Sequence, residues 1–252
     1  MAIIAGYGLF LIENILPQIK ERNRMLGISR MSIGWHVDEI VAHLERTGYE
    51  YDKDMAAQMR GQSAYTSAEF FKLLGFSEYE DIDFDDSEGA TIIHDMNLPL
   101  PAQYHQGFDF VFENGTLEHI FDIRQAIANI AATVKVGGYV SHGAPMDAFN
   151  HGFYNFSVNF FNDFYRANGF DDLQFYLVRY SSNWFNDQNV QAERLEYTHE
   201  EFYVQPEVYQ SPYNKMYIAC LAHKVEHVSP ARTPVQAAYD RSKGLSSRLN
   251  SW

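Results

Sequence analysis

Between residues 83 and 151 the chain gathers side chains able to hold a polar ligand and to move a proton: Asp83, His94, Asp95, Glu113, Asn114, Glu118, His119 and His151. Carboxylates and amides fix a ligand through directed hydrogen bonds, and histidine titrates close to neutral pH. By type and position His119 is the first candidate for a general base, and His151, in "NHGFYNF", is the second. For each, the competing reading is an ordinary surface histidine or one satisfied within the fold. Several histidines fall near one another, yet there is no His-Glu-x-x-His helix, no cysteine knuckle and no calcium-loop spacing, so no metal is expected. A Gly-x-Ser-x-Gly elbow and a phosphate loop are also missing, which argues against an α/β-hydrolase and a P-loop nucleotide hydrolase.

The elements that must position these groups alternate between strand and helix. "RMLGIS" (24–29) reads as a short apolar strand, and "WHVDEIVAHLERTG" (35–48) as a helix that ends at Gly48. "SAEFFKLLGF" (67–76) reads as a helix opened by Ser67 and stopped at Gly75. "ATIIHDMN" and "FDFVFENG" read as strands. "IRQAIANIAATVKVGG" (123–138) reads as a helix with Lys135 in its last turn and a Gly137-Gly138 close, followed by the strand "YVSHGAP". A helix at 157–170 and strands at 173–180 and 215–225 complete the order. Phe156, Phe160, Phe161, Phe164 and Tyr165 recur at mostly helical spacing, which predicts core packing. Such alternation predicts a mainly parallel sheet with helices on both faces. The last two strands, joined without a helix, are expected to form an antiparallel edge. Ligands of open α/β sheets sit beyond the carboxyl ends of the strands. Glu113-Asn114-Gly115, His94-Asp95 and Ser141-His142-Gly143 each stand at such an end.

The 252 residues suffice for a sizeable core, and the formal charge of −14 argues against a nucleic-acid partner. The single cysteine, Cys220, admits no intrachain disulfide and suits the cytoplasm. The apolar opening "MAIIAGYGLFLIENIL" is broken by Glu13, too early for a membrane span, and reads as a helix packed on the domain. Three parts are expected: an N-terminal helical segment (1–23), a main domain (24–225) and a polar C-terminal extension (226–252) through which a second copy or an assembly partner would be contacted.

"FDFVFENGTLEHIFDIRQAIANIAATVKVGGYVSHGAP" resembles the second half of a class I S-adenosylmethionine (SAM)-dependent methyltransferase domain. There a strand of this type leads to a Glu-His helix start, an amphipathic helix, a glycine pair and a further strand. The upstream "YEDIDFDDSEGATIIHDMNLPLP" fits the same pattern, and the resemblance extends over roughly residues 24–180. It implies a Rossmann-like class I methyltransferase fold, SAM as cofactor, and methyl transfer to a small-molecule or sugar-like acceptor. It further implies that Gly27 and Ser29 lie in the cofactor loop and that Asp83 accepts from the ribose hydroxyls. Asp95, with His94, would sit at the adenine, and Glu113, Asn114 and Gly115 beneath the methionine and sulfonium. Glu118, Asn150 and Tyr154 would meet the acceptor. One departure opens a rival reading. The loop "LGISRMSIG" carries Arg30 and Met31 where the family carries glycine, as in a methyltransferase-like subunit that binds or supports without catalysing.

Overall fold

The computed structural model describes residues 2–180, 190–195 and 215–239. Strands β1 (Ala2–Ile4), β2 (Arg24–Ile28), β3 (Ser32–Gly34), β4 (Glu78–Asp83), β5 (Ile92–Ile93), β6 (Phe108–Asn114), β7 (Val134–Pro145), β8 (Phe170–Tyr180), β9 (Gln191–Leu195) and β10 (Lys215–Lys224) alternate with helices. These are α1 (Ala5–Phe10), α2 (Val37–Thr47), α3 (Lys53–Arg60), α4 (Ser67–Leu73), α5 (Ile123–Thr133) and α6 (Val158–Ala167). Eight strands form one sheet in the order β5-β4-β2-β6-β7-β10-β8-β9, and β1 pairs with β3 in a small parallel ribbon.

The chain starts this sheet at β2, builds outward through β4 and β5, then crosses back to add β6 and β7 on the other side. β2 is parallel to both β4 and β6, so the order reverses there and the ends of β2 and β6 flank a topological switch point. This is the Rossmann-like α/β arrangement expected from the sequence. The antiparallel edge is present too: β10 runs antiparallel between β7 and β8. The edge is closed by β9, antiparallel to β8, from a stretch too polar to read as a strand.

Alternation along the strands feeds two core layers. Phe110 and Phe112 of β6 face one layer with Tyr7, Phe10, Leu11, Ile40, Leu44, Phe70 and Phe71. Val111 faces the other with Ile127, Ile130, Phe161, Phe164 and Tyr165. The aromatic run of α6 is therefore mostly core, as its spacing predicts. At the N-terminus Tyr7, Phe10, Leu11, Ile12, Ile15 and Leu16 are all buried.

Caps decide the helix ends. α2 buries Val37, Ile40, Val41 and Leu44 and stops at Gly48, which is left-handed at φ 70°. α3 was not evident from apolar spacing; Asp52 starts it by accepting from the amides of Asp54 and Met55. α4 is opened by Thr66, not Ser67. Thr66 and Glu69 form a reciprocal capping box, while the Ser67 hydroxyl turns inward to the Met31 amide and Tyr79. The helix expected over 123–138 ends at Thr133, and Lys135 lies in β7, where it pairs with Glu21 and Asp109. Among the described residues no helix is long and apolar enough to cross a membrane. The C-terminal extension is described to Tyr239. Its Arg232 amide donates to Asn168 and its Ala237 amide to Asp163, docking it on α6. The remainder, through which a partner contact was expected, lies outside the described residues.

Candidate functional site

The site is built where β2, β4 and β6 end. β2 leaves the sheet at Ser29, whose φ of 74° is a left-handed conformation that costs a non-glycine residue about 1 kcal/mol. Three hydrogen bonds secure that turn. The Ser29 amide donates to Ile82 O (2.7 Å), its hydroxyl to Asp83 Oδ2 (2.9 Å), and the Arg30 amide to the same oxygen (3.1 Å). Ser29 thus adopts the backbone shape that a glycine would supply at the head of a cofactor loop. Gly27, two residues earlier in β2, allows Tyr79 to approach; a Cβ there would stand 2.5 Å from the Tyr79 hydroxyl.

Arg30 does not protrude into the edge. Its guanidinium grips the fully buried Asp81 through Nε (2.7 Å) and Nη2 (3.2 Å), which raises the Arg30 pKa. Thr91 completes the Asp81 shell with its amide and hydroxyl. The sequence gives no sign of this network, because Arg30 lies in the turn after β2 and Asp81 in β4.

Asp83 ends β4 half-buried, with Oδ1 accepting from the Phe84 amide at 2.7 Å. Three of its roughly four lone-pair positions are therefore engaged. Asp95 follows β5 and accepts from the Asn97 amide and side chain, which lower its pKa. His94 is turned to Leu98 O at 3.2 Å. Both lie along the same edge as Asp83.

Glu113 has a different job from the one its position implied. It is fully buried; Oε1 accepts from the Thr116 and Leu117 amides, and Oε2 meets His142 Nδ1 at 2.8 Å. His142 Nε2 in turn meets the Tyr165 hydroxyl at 2.6 Å. This buried Glu113–His142–Tyr165 chain braces the turn after β6 against α6. Gly115, left-handed at φ 81°, donates to Gly143 O. Asn114 Oδ1 is buried and unpartnered among the described residues. Gly143 must be glycine: a Cβ there would collide with Asn114 Oδ1 and the Tyr7 hydroxyl.

Beyond this turn the chain brings Glu118, His119 and His151 together. Glu118 is fully buried, and neither carboxylate oxygen has a hydrogen-bond partner. Its ion-pair neighbour among the described residues is His151 Nε2 at 3.5 Å. Burial first, and the Glu113 carboxylate second, push the Glu118 pKa well up. The His119 and His151 rings stand 4.9 Å apart at 67°. Burial, then His151, lower the His119 pKa, which favours the neutral ring at pH 7. Asn150 is exposed at φ 57°, and the Tyr154 hydroxyl donates to Phe121 O at 2.7 Å. Phe121 and Phe153, both exposed, meet edge to face beside the cluster. A cavity of about 800 Å³ opens elsewhere, between α5, α6 and the segment 227–236, and none of these candidates lines it.

No family model and no curated protein matches this sequence. Among solved structures the chain is similar to TehB from Haemophilus influenzae: 16% identity over 62% of this chain and 52% of that one, TM-score 0.38. It is similar to a SAM-dependent methyltransferase from Archaeoglobus fulgidus: 12% identity, 86% and 92% coverage, TM-score 0.45. A third is a phosphoethanolamine N-methyltransferase from Haemonchus contortus in complex with phosphomonomethylethanolamine and S-adenosylhomocysteine: 13% identity, 89% and 54% coverage, TM-score 0.44. The match spans about half the length of the first and the third. The strand order and its switch point define a Rossmann-like α/β fold.

Proposed function

We propose that this chain is a SAM-dependent methyltransferase acting on a small-molecule or sugar-like acceptor in the cytoplasm. The observation that carries the reading is the left-handed Ser29 turn bound to Asp83 at the switch point of the sheet. The groups at this edge fit such a cofactor. Asp83 keeps one acceptor position open and gains a second when the Ser29 hydroxyl turns away, which matches a ribose diol. Asp81 neutralises Arg30, so no bare cation opposes a sulfonium. Asp95 and His94 stand where an adenine would lie. Bound SAM supplies an electrophilic methyl group on a positively charged sulfur. The chain's own task is then to align the acceptor and take its proton. Neutral His119 is suited to that proton, with His151 beside it. Asn150, Tyr154 and the Phe121–Phe153 pair form the acceptor side.

Thermal unfolding with and without SAM or S-adenosylhomocysteine tests this. A ligand at a hundred times its Kd adds about 2.7 kcal/mol, a rise on the order of 5–10 °C in Tm for a domain this size. We expect that rise in the native protein and its loss in Asp83→Asn. No rise at millimolar ligand would reject the enzyme reading in favour of the non-catalytic subunit, to which Arg30 and Met31 in the loop point.

A further inference from the structure

We propose that Glu118, His119 and His151 form a binding site for a divalent transition-metal ion, of which zinc is the simplest occupant. Their ligand atoms all lie within 4.8 Å of one another. Glu118 supplies the demand for a cation: its side chain is fully buried, neither oxygen has a hydrogen-bond partner among the described residues, and its ion-pair neighbour there is His151 Nε2 at 3.5 Å. A carboxylate left alone in a dry site is costly, and a bound cation is the group that relieves it. The neighbouring Glu113 cannot share the load, since its oxygens are taken by two amides and His142.

The donor set selects the ion. Two imidazole nitrogens and one carboxylate suit zinc and its first-row neighbours, whereas magnesium and calcium prefer all-oxygen shells. Around a tetrahedral ion with bonds of about 2.0–2.1 Å, ligand atoms stand roughly 3.4 Å apart. The Glu118–His151 pair already meets that spacing, and rotation of the exposed His119 closes the rest. The backbone prepares the contact. The Phe153 amide donates to Glu118 O at 2.7 Å, and a Cβ on Gly152 would stand 2.6 Å from that same oxygen, so only glycine lets the His151 loop lie this close.

Three protein ligands leave at least one coordination position open, the pattern of a working rather than a purely structural ion. Its use rests on the methyl-transfer reading. The open position would receive the oxygen of a hydroxyl-bearing acceptor and lower its pKa. With the ion bound the proton passes to solvent, and the two imidazoles act as ligands in place of the base role given to His119 in the metal-free site.

The test is calorimetric titration of the full-length, tag-free protein with zinc chloride after removal of bound metal by chelator. We expect one equivalent to bind. Affinity should fall by roughly 100-fold or more in His119→Ala, His151→Ala and Glu118→Gln. Both histidines are exposed, so unchanged circular dichroism in their variants separates lost ligands from lost structure. Absence of binding at millimolar zinc, or undiminished affinity in both histidine variants, would overturn the site. The Tm shift with S-adenosylhomocysteine, measured on the metal-free protein, keeps the two readings apart. Stabilisation without zinc binding removes the metal site and leaves the methyltransferase, and zinc binding without stabilisation does the reverse.

Discussion

Lys224 makes the sharpest single demand on its surroundings. It is 2% exposed, and its ammonium donates to Ala131 O and Val134 O, both at 2.7 Å, with no carboxylate paired to it among the described residues. Burial lowers its pKa from 10.5 to about 8. Between those values the unfolded chain binds more protons than the folded one, so this group makes stability rise with pH. Below about pH 8 both states hold the proton, and the cost of the buried charge is present in full. Against Lys224→Met, the native protein should gain on the order of 1–2 kcal/mol between pH 7.5 and 10, read from urea unfolding. Parallel pH profiles would refute this. Above that range buried tyrosines such as Tyr79, whose pKa burial raises, act in the opposite sense. Single residues were legible in the sequence where position alone defines them. Asp83 and Asn114 end their strands and Gly115 follows at once, and a strand end can be read locally. Partner choice could not be read. Arg30 meets Asp81 from 51 residues away and His142 meets Glu113 from 29, and nothing in the intervening sequence fixes either pair. Glu113 was misjudged for that reason: a carboxylate at a ligand-binding edge looks the same in sequence whether it faces out or in.

Helices and strands were read well where apolar spacing was strong and less well at their ends, because ends depend on who satisfies the last amides. Serine and threonine cap equally well in principle. At α4 the choice falls to Thr66, because the Ser67 hydroxyl is needed by the Met31 amide. Thr66→Ala should therefore cost about 1 kcal/mol, a fall of roughly 2–4 °C in Tm, whereas a solvent-facing cap would cost less. Ser67→Ala tests the complementary point. It leaves an amide and the Tyr79 hydroxyl short of a partner at the back of the Ser29 loop, so its cost should match or exceed that of Thr66→Ala. A smaller loss would contradict the role assigned to Ser67. Lys135 is instructive in another way. A cation before a glycine pair reads as a helix end, yet Asp109 and Glu21 recruit it into β7.

For the molecule as a whole, the N-terminal residues belong to the core and not to an appendage. Tyr7 reaches from α1 to the carbonyl of His142, at 3.5 Å, and packs near Phe112 at the centre of the sheet. Deleting residues 2–18 should abolish the cooperative thermal transition and expose dye-binding apolar surface, because Ile3, Ile4, Tyr7, Phe10, Leu11, Ile12, Ile15 and Leu16 leave one layer together. A sharp transition in the truncated chain would show that the segment only decorates the domain. The Ser29 loop carries a wider lesson. Its path is held by Asp83 and by a strand carbonyl, so it does not depend on glycine's freedom. Such a loop can exchange side chains without changing course. The letters of a binding motif can then drift out of recognition while the curve they once described stays where a ligand would meet it.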